Sequence, residues 1–285
     1  MELVTEPVIH SSDQAMKFAQ ELQLLLRTLG VSEANMEKGE MRVEVNISVS
    51  NTSTFGTKVE VKNINSFRAA GKAIDFEYAR QVALLDAGEK VVQETRGWDE
   101  NKSITFSQRS KENAHDYRYF PDPDLPKIII SEIPELHIEV LKDGLPELPW
   151  EKRLRFTDSF ALKSEDIEMY VTHSDMGKFF EATTARIVFK EADNKSIFQT
   201  VSNYVTSDLV GLSKAQGTSF NIGKVSVESF AGLVRMIQEG KLSSRGGKDI
   251  LKILFDEGGD AEKIAIERNL IQKNDPQELL SLIHI

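Results

Sequence analysis

The chain contains no cysteine. That excludes a disulfide framework, a thiol nucleophile and a thiolate zinc site. No apolar run approaches the roughly 18 residues of a membrane span. The opening Met1-Glu2-Leu3-Val4 reads as an extended run and not as a signal or transit peptide. Positive charge is scarce: 35 Lys and Arg stand against 45 Asp and Glu, a formal net charge of −10. Phosphate binding rests on clustered Lys and Arg, so this balance argues against a general nucleic-acid coat and leaves room for local basic patches. None of the 5 histidines sits in HExxH or another metal spacing. A P-loop is missing too, because Asp249 follows Gly246-Gly247-Lys248 where Ser or Thr is needed.

What is present suffices for folded cores. The chain has 285 residues, 40% of them hydrophobic, enough for two ordinary domains. Residues 1–6 read as a strand stopped by Pro7, and so abrupt an opening suggests a start inside a larger domain. Ser11 and Gln14 have capping-box spacing, and Ala15, Met16, Ala19, Leu22, Leu26 and Leu29 recur at helical steps until Gly30. Val43, Val45, Ile47 and Val49 then alternate with Arg42, Glu44, Asn46 and Ser48. After a loop at 51–56, Val59 and Val61 alternate with Lys58, Glu60 and Lys62. Period two of this kind predicts a hairpin with one dry and one wet face. Asn65 or Ser66 can cap a helix to about Ala87, with Phe67, Ala70, Ile74, Tyr78, Val82 and Leu85 as its inner stripe. Strands are expected near 90–96 and 103–109. From 150 the pattern turns helical, with helices at 150–156, 163–171, 174–185, 196–212, 227–238, 246–255 and 261–269. The last of these lacks a stop signal through Ile285 and reads as cut off.

Two stretches carry more polarity than a core requires. Lys62-Asn63-Ile64-Asn65-Ser66 sets amides at a strand-to-helix turn, where a helix N-terminus can hold an anion; plain capping explains the same residues. Asp116-Tyr117-Arg118-Tyr119-Phe120-Pro121-Asp122-Pro123-Asp124, with His115 beside it, packs carboxylates, an arginine and aromatics into one proline-stiffened segment. It can line a pocket for an aminoacyl or nucleotide group.

The strings MELVTEP, MEKGEMRVEVNIS, FGTKVEVKNINSF, QETRGWDE and DYRYFPDPDLP, in this order, resemble the B subunit of the aspartyl/glutamyl-tRNA(Asn/Gln) amidotransferases. LPELPWEKRLRF, DMGKFFE and SFAGLVRMIQEGKLSS extend the resemblance over nearly the whole chain. It implies an α+β chain: part of an antiparallel-sheet cradle domain over 1–149, an all-α helical domain over 150–224, and the start of a tRNA-binding helical tail domain over 225–285. It further implies that an earlier cradle portion and most of the tail are missing. The activity implied is that of a ligase. ATP and magnesium serve to phosphorylate the side-chain carboxylate of Glu or Asp misacylated onto tRNA, and ammonia from a partner amidase (A) subunit, in a complex with a small C subunit, then displaces phosphate.

Carried onto this chain, the resemblance makes Glu2 a magnesium ligand and puts Glu60 and Asp116 at the nucleotide. Lys62, Asn63, Asn65, Arg96, Arg118 and Tyr119 fall among the catalytic group, Lys62 and Arg118 on phosphate charge and the two asparagines orienting polar groups. The family's RCDANIS string stands here as Arg42-Val43-Glu44-Val45-Asn46-Ile47-Ser48, which loses a cysteine and lengthens an acid. Localisation would be cytoplasmic, or the matrix of an organelle, with no membrane partner. A non-catalytic scaffold that docks the amidase is the alternative. An archaeal-type relative would need an inserted domain for which the region after Glu151 has no room.

Overall fold

The computed structural model describes residues 1–110, 120–187, 194–218 and 220–272. Two compact units divide the chain, Met1–Leu148 and Pro149–Ile285.

In the first unit, helix α1 (Ser12–Thr28) starts where the Ser11 hydroxyl accepts from the Gln14 amide. The Gln14 side chain answers by accepting from the His10 amide at 2.8 Å. Gly30, at φ +67°, supplies the left-handed stop. Strands β1 (Val45–Ile47) and β2 (Val59–Lys62) pair antiparallel, with Asn46 opposite Glu60. Helix α2 (Phe67–Asp86) follows, capped by Ser66. Strands β3 (Glu94–Asp99) and β4 (Ile104–Ser110) close a four-stranded sheet in the order β1-β2-β3-β4. Beyond it come two single 3₁₀ turns and the short helix α3 (Ile138–Asp143).

The α+β class holds, but the sheet is mixed and not antiparallel throughout. β2 and β3 run parallel, with Val61 beside Arg96 and Lys62 beside Gly97. The cause is α2, which carries the chain back to the end where β2 began. The third strand also begins four residues later than the expected 90–96, since its bounds are set by the pairing with β2 and β4. Residues 1–6, expected as a strand, form none, and Leu3 and Val4 are exposed. A strand needs a neighbour for its backbone groups, and none pairs with this segment among the described residues.

One core cluster of this unit is Val61, Ile64, Ala69, Ala70, Ala73 and Trp98, with Val43, Val45, Ile47 and Phe76 packed at its margin; Val59 and Val91 are buried as well. Small residues bring α2 close to its neighbours: a Cβ on Gly71 would lie 2.6 Å from the Met16 sulfur of α1. The buried face of α2 departs from the expected stripe. Tyr78 and Leu85 are exposed, whereas Glu77 and Gln81 are fully buried.

The second unit is all helical: α4 (Pro149–Phe160), α5 (Ser164–Thr172), α6 (Ser174–Ile187), α7 (Lys195–Asn203), α8 (Val210–Ala215), α9 (Val227–Gln238), α10 (Ser244–Asp256) and α11 (Ala261–Glu267). Phe156, Tyr170 and Phe180 form its aromatic centre, with Tyr170 stacked on Phe180 at 4.7 Å. A π-helical turn, Tyr204–Leu209, joins α7 to α8, where a single regular helix is expected. Such a turn re-aims the side chains around it. Here the Tyr204 hydroxyl donates to the Ser244 carbonyl at 3.3 Å, against α10. Gly246 and Gly247, at the head of α10, are buried. A Cβ on Gly247 would come within 2.6 Å of the Tyr204 oxygen, so close packing explains the bare glycine. Residues 281–285, expected to prolong the last helix, lie outside the described residues. No helix among the described residues is long and apolar enough to cross a membrane.

Candidate active site

The wet face of the sheet is built by alternation. Because Val59 and Val61 are buried, Glu60 and Lys62 must point the other way. The Lys62 ammonium lies 3.2 Å from Glu44 and 3.8 Å from Glu60. Glu60 also accepts from the Thr95 hydroxyl at 2.8 Å. A lysine on this face is thus held between a carboxylate of β2 and that of Glu44, just before β1, with a third of its side chain still in solvent. Beside it in register sits Gly97. A Cβ there would meet Gln108 Nε2 and Phe106 Cζ, each at 2.6 Å, so the bare position is filled by side chains from β4.

Asn63 ends β2 in the left-handed region, at φ +62°. Its amide donates to the Trp98 carbonyl at 3.1 Å, which ties the end of β2 to β3. Asn65 is exposed one residue before the Ser66 cap, and it is Ser66 that receives the Ala69 amide.

Arg96 lies on the opposite face from Lys62, since its register partner Val61 is in the core. There it enters a polar cluster that the amino-acid pattern does not announce. Arg96 donates from Nε to the Thr105 hydroxyl at 2.9 Å and from one Nη to Glu94 at 2.5 Å. The buried Glu77 carboxylate receives Arg80 in a two-nitrogen grip, the Gln81 amide at 3.0 Å and the Thr105 hydroxyl at 2.9 Å. Burial pushes the Glu94 carboxyl up, but the Ser107 hydroxyl and the Arg96 guanidinium outweigh it and hold it below the usual range. The Glu77 hydrogen bond raises Arg80 above its ordinary value. One buried oxygen, Gln81 Oε1, has no partner among the described residues. The signal that could have found this cluster is spacing: Ala70, Ile74, Glu77 and Gln81 keep a helical stripe, with Arg80 three residues after the acid.

Of the residues marked by resemblance, then, the structure brings Glu60 and Lys62 together, sets Asn63 at the end of the same strand, and turns Arg96 to the other side. Glu2 is exposed within residues 1–6. Asp116, Arg118 and Tyr119, with His115, lie outside the described residues. Among the described residues no three His, Asp or Glu side chains converge to hold a metal ion.

The chain thus sets a mixed sheet with a polar, lysine-bearing face ahead of an all-helical unit. Residues 1–134 match the GatB/GatE catalytic domain and residues 186–285 match the GatB domain. The chain belongs to the GatB family. It is 40% identical over 276 residues to the B subunit of an aspartyl/glutamyl-tRNA(Asn/Gln) amidotransferase from Rhodopseudomonas palustris (strain HaA2), covering 96% of this chain and 54% of the relative. To the corresponding protein of Synechococcus elongatus it is 39% identical over 284 residues, 99% of this chain and 55% of the relative. For that of Prochlorococcus marinus (strain MIT 9312) the identity is 40% over 285 residues, 99% and 56%. The chain spans about half the length of the curated relatives it matches.

Proposed function

We propose that this chain supplies part of the tRNA-acting subunit of a glutamyl- or aspartyl-tRNA amidotransferase, a carbon–nitrogen ligase that makes Gln-tRNA(Gln) or Asn-tRNA(Asn) from the misacylated forms. The observation that carries this reading is the match of both GatB domains in order along one chain. The partners would be an amidase (A) subunit that releases ammonia from glutamine, a small C subunit, and the misacylated tRNA, in the cytoplasm or an organelle matrix. ATP, with magnesium, would be the phosphoryl donor.

The chemistry asks for activation because a carboxylate has no good leaving group; an acyl phosphate does. Negative charge on nucleotide and substrate then has to be offset by fixed cations. Lys62 suits that work. Glu44 and Glu60 hold its ammonium on the open face, and an incoming phosphate oxygen competes for it without a rotamer search. Asn63, in a fixed left-handed geometry, would keep the end of β2 in place beside it. Arg96 acts from behind the sheet, as a strut and not as a contact. Since the described residues do not build a magnesium site, the roles assigned here are charge and hydrogen-bond roles alone.

The same finding, with Lys62 and Arg96 both engaged internally, favours a second reading in which the chain only docks the amidase. One assay separates the two. The chain is mixed with A and C subunits, misacylated tRNA, ATP and glutamine, and tRNA-dependent phosphate release is followed. Turnover removes the scaffold reading; binding of the amidase without turnover favours it.

A further inference from the structure

The two carboxylates around Lys62 are not held alike. The Glu44 side chain is 44% exposed, whereas that of Glu60 keeps only 13% in solvent. A buried hydroxyl anchors the second of them. The parallel register sets Thr95 beside Glu60, so both side chains rise on the wet face. The Thr95 hydroxyl donates to Oε2 of Glu60 at 2.8 Å, while Oε1 is the oxygen that stands 3.8 Å from the Lys62 ammonium. One oxygen is tied down and the other faces the lysine. Thr95 is itself only 1% exposed. The ladder between β3 and β4 is irregular at this point. It passes from Thr95 opposite Arg109 to Arg96 opposite Ser107 and skips Gln108. A bulge of this kind re-aims the side chains beside it and recurs next to active sites.

We propose that Thr95 is a positioning residue: its hydroxyl keeps Glu60 from closing on Lys62 and so leaves the ammonium available to a phosphate oxygen. The proposal rests on the role given to Lys62 above. Its physical basis is competition for donors. A carboxylate that is mostly out of water takes a donor for each oxygen, and an unpaired oxygen is costly. With the hydroxyl in place, Oε2 is satisfied by a neutral donor, and the lysine is shared between Oε1 and Glu44. Without it, the ammonium is a donor within reach, three N–H groups on a flexible four-carbon stem. Lys62 then swings onto both oxygens of Glu60 and away from the open side where phosphate arrives. Thr95 is too deeply buried to meet a ligand and acts through Glu60.

Lysine labelling of the whole chain tests this without ATP or tRNA. Trace acetic anhydride is added, and acetylation of Lys62 is followed by mass spectrometry. Thr95→Val keeps the shape of threonine and suits a strand. In it Lys62 should label about tenfold more slowly, the scale of one hydrogen bond to a charged group. Thr95→Ala also lacks the hydroxyl and should slow labelling likewise, while Thr95→Ser should keep the wild-type rate. In a Glu60→Gln background the valine change should have no effect, because the grasping charge is gone. A merely structural role for Thr95 would loosen the sheet and speed labelling. Unchanged or faster labelling of Lys62 in the valine and alanine variants therefore overturns the proposal, and so does slowing that persists with Glu60→Gln. In the complete enzyme, Thr95→Val should raise the KM for ATP about tenfold with kcat less affected, and should add nothing to Lys62→Met. A wild-type KM in Thr95→Val, where Lys62→Met is impaired, overturns the proposal as well. Full turnover in Lys62→Met would instead remove Lys62 as a phosphate contact, and the labelling rates would still decide whether Thr95 governs its pairing with Glu60.

Discussion

A carboxylate oxygen of Glu77 and the Nε of Arg96 stand 3.5 Å apart across the seam between α2 and β3, and the carboxylate is wholly withdrawn from solvent. Removing one partner of such a pair leaves the other charge without compensation in a poor dielectric. Glu77→Gln is expected to cost on the order of 3 kcal/mol. Urea unfolding reads this as a drop in midpoint at unchanged slope. A loss below about 0.5 kcal/mol, the size typical of a neutral surface change, would sink the assignment.

Glu94 gives the same cluster a pH signature. Its folded pKa lies below the usual carboxylate value. The stability it contributes is therefore complete above the unfolded pKa, about 4.3, and is lost as pH falls through the folded pKa. Midpoints measured from neutral pH downward should fall less steeply in Glu94→Gln than in the wild type. Parallel acid limbs would show that the Ser107 and Arg96 contacts do not hold the carboxylate.

Gly247 tests the contact between the π turn and α10. Gly247→Ala places a methyl 2.6 Å from the Tyr204 oxygen and 2.8 Å from Ile237 Cδ1. Overpacking of this kind costs about 1–3 kcal/mol. Adding Tyr204→Phe removes the oxygen and should restore part of the loss, a coupling that a double-mutant cycle measures.

Asn63 should tolerate glycine better than any branched residue. At φ +62° glycine fits freely, while Asn63→Val forces a β-branched side chain into the left-handed region at a cost of about 1–3 kcal/mol. Equal stability of the two variants in thermal melts would rule out this backbone as the reason for asparagine.

Lys62→Met separates stability from chemistry. A half-exposed ion pair contributes about 0–1 kcal/mol, so the fold should hardly change. In the complete enzyme, tRNA-dependent phosphate release should fall about a hundredfold or more, the scale of losing one transition-state charge contact. Unchanged turnover would remove Lys62 from the site.

Much of this architecture is legible in residue order, for local reasons. The alternation of Val43, Val45 and Ile47 with Glu44 and Asn46 gives both faces of β1, and the caps at Ser11 and Ser66 open their helices where spacing says they should. The helices of the second unit follow from apolar periodicity, and 227–238 matches α9 end to end. What stays hidden is decided by distant partners. Spacing can put Glu77 on the inner stripe of α2, but its partners Arg96 and Thr105 arrive only from strands that follow the helix. Residue order likewise does not tell that pairing with Val61 turns Arg96 to the face opposite Lys62. Nothing local tells residues 1–6 from a true strand, because a strand is defined by its neighbour.

The parallel match of Glu60 with Thr95 bears on how the first unit comes together. Antiparallel neighbours can zip from a tight turn, but these two strands meet only after the whole of α2 has been traversed, so a long loop must close before any ladder bond rewards it. Folding of this unit should accordingly be slow for its size, with α2 and its buried acid organised early and the strand ladder among the last events.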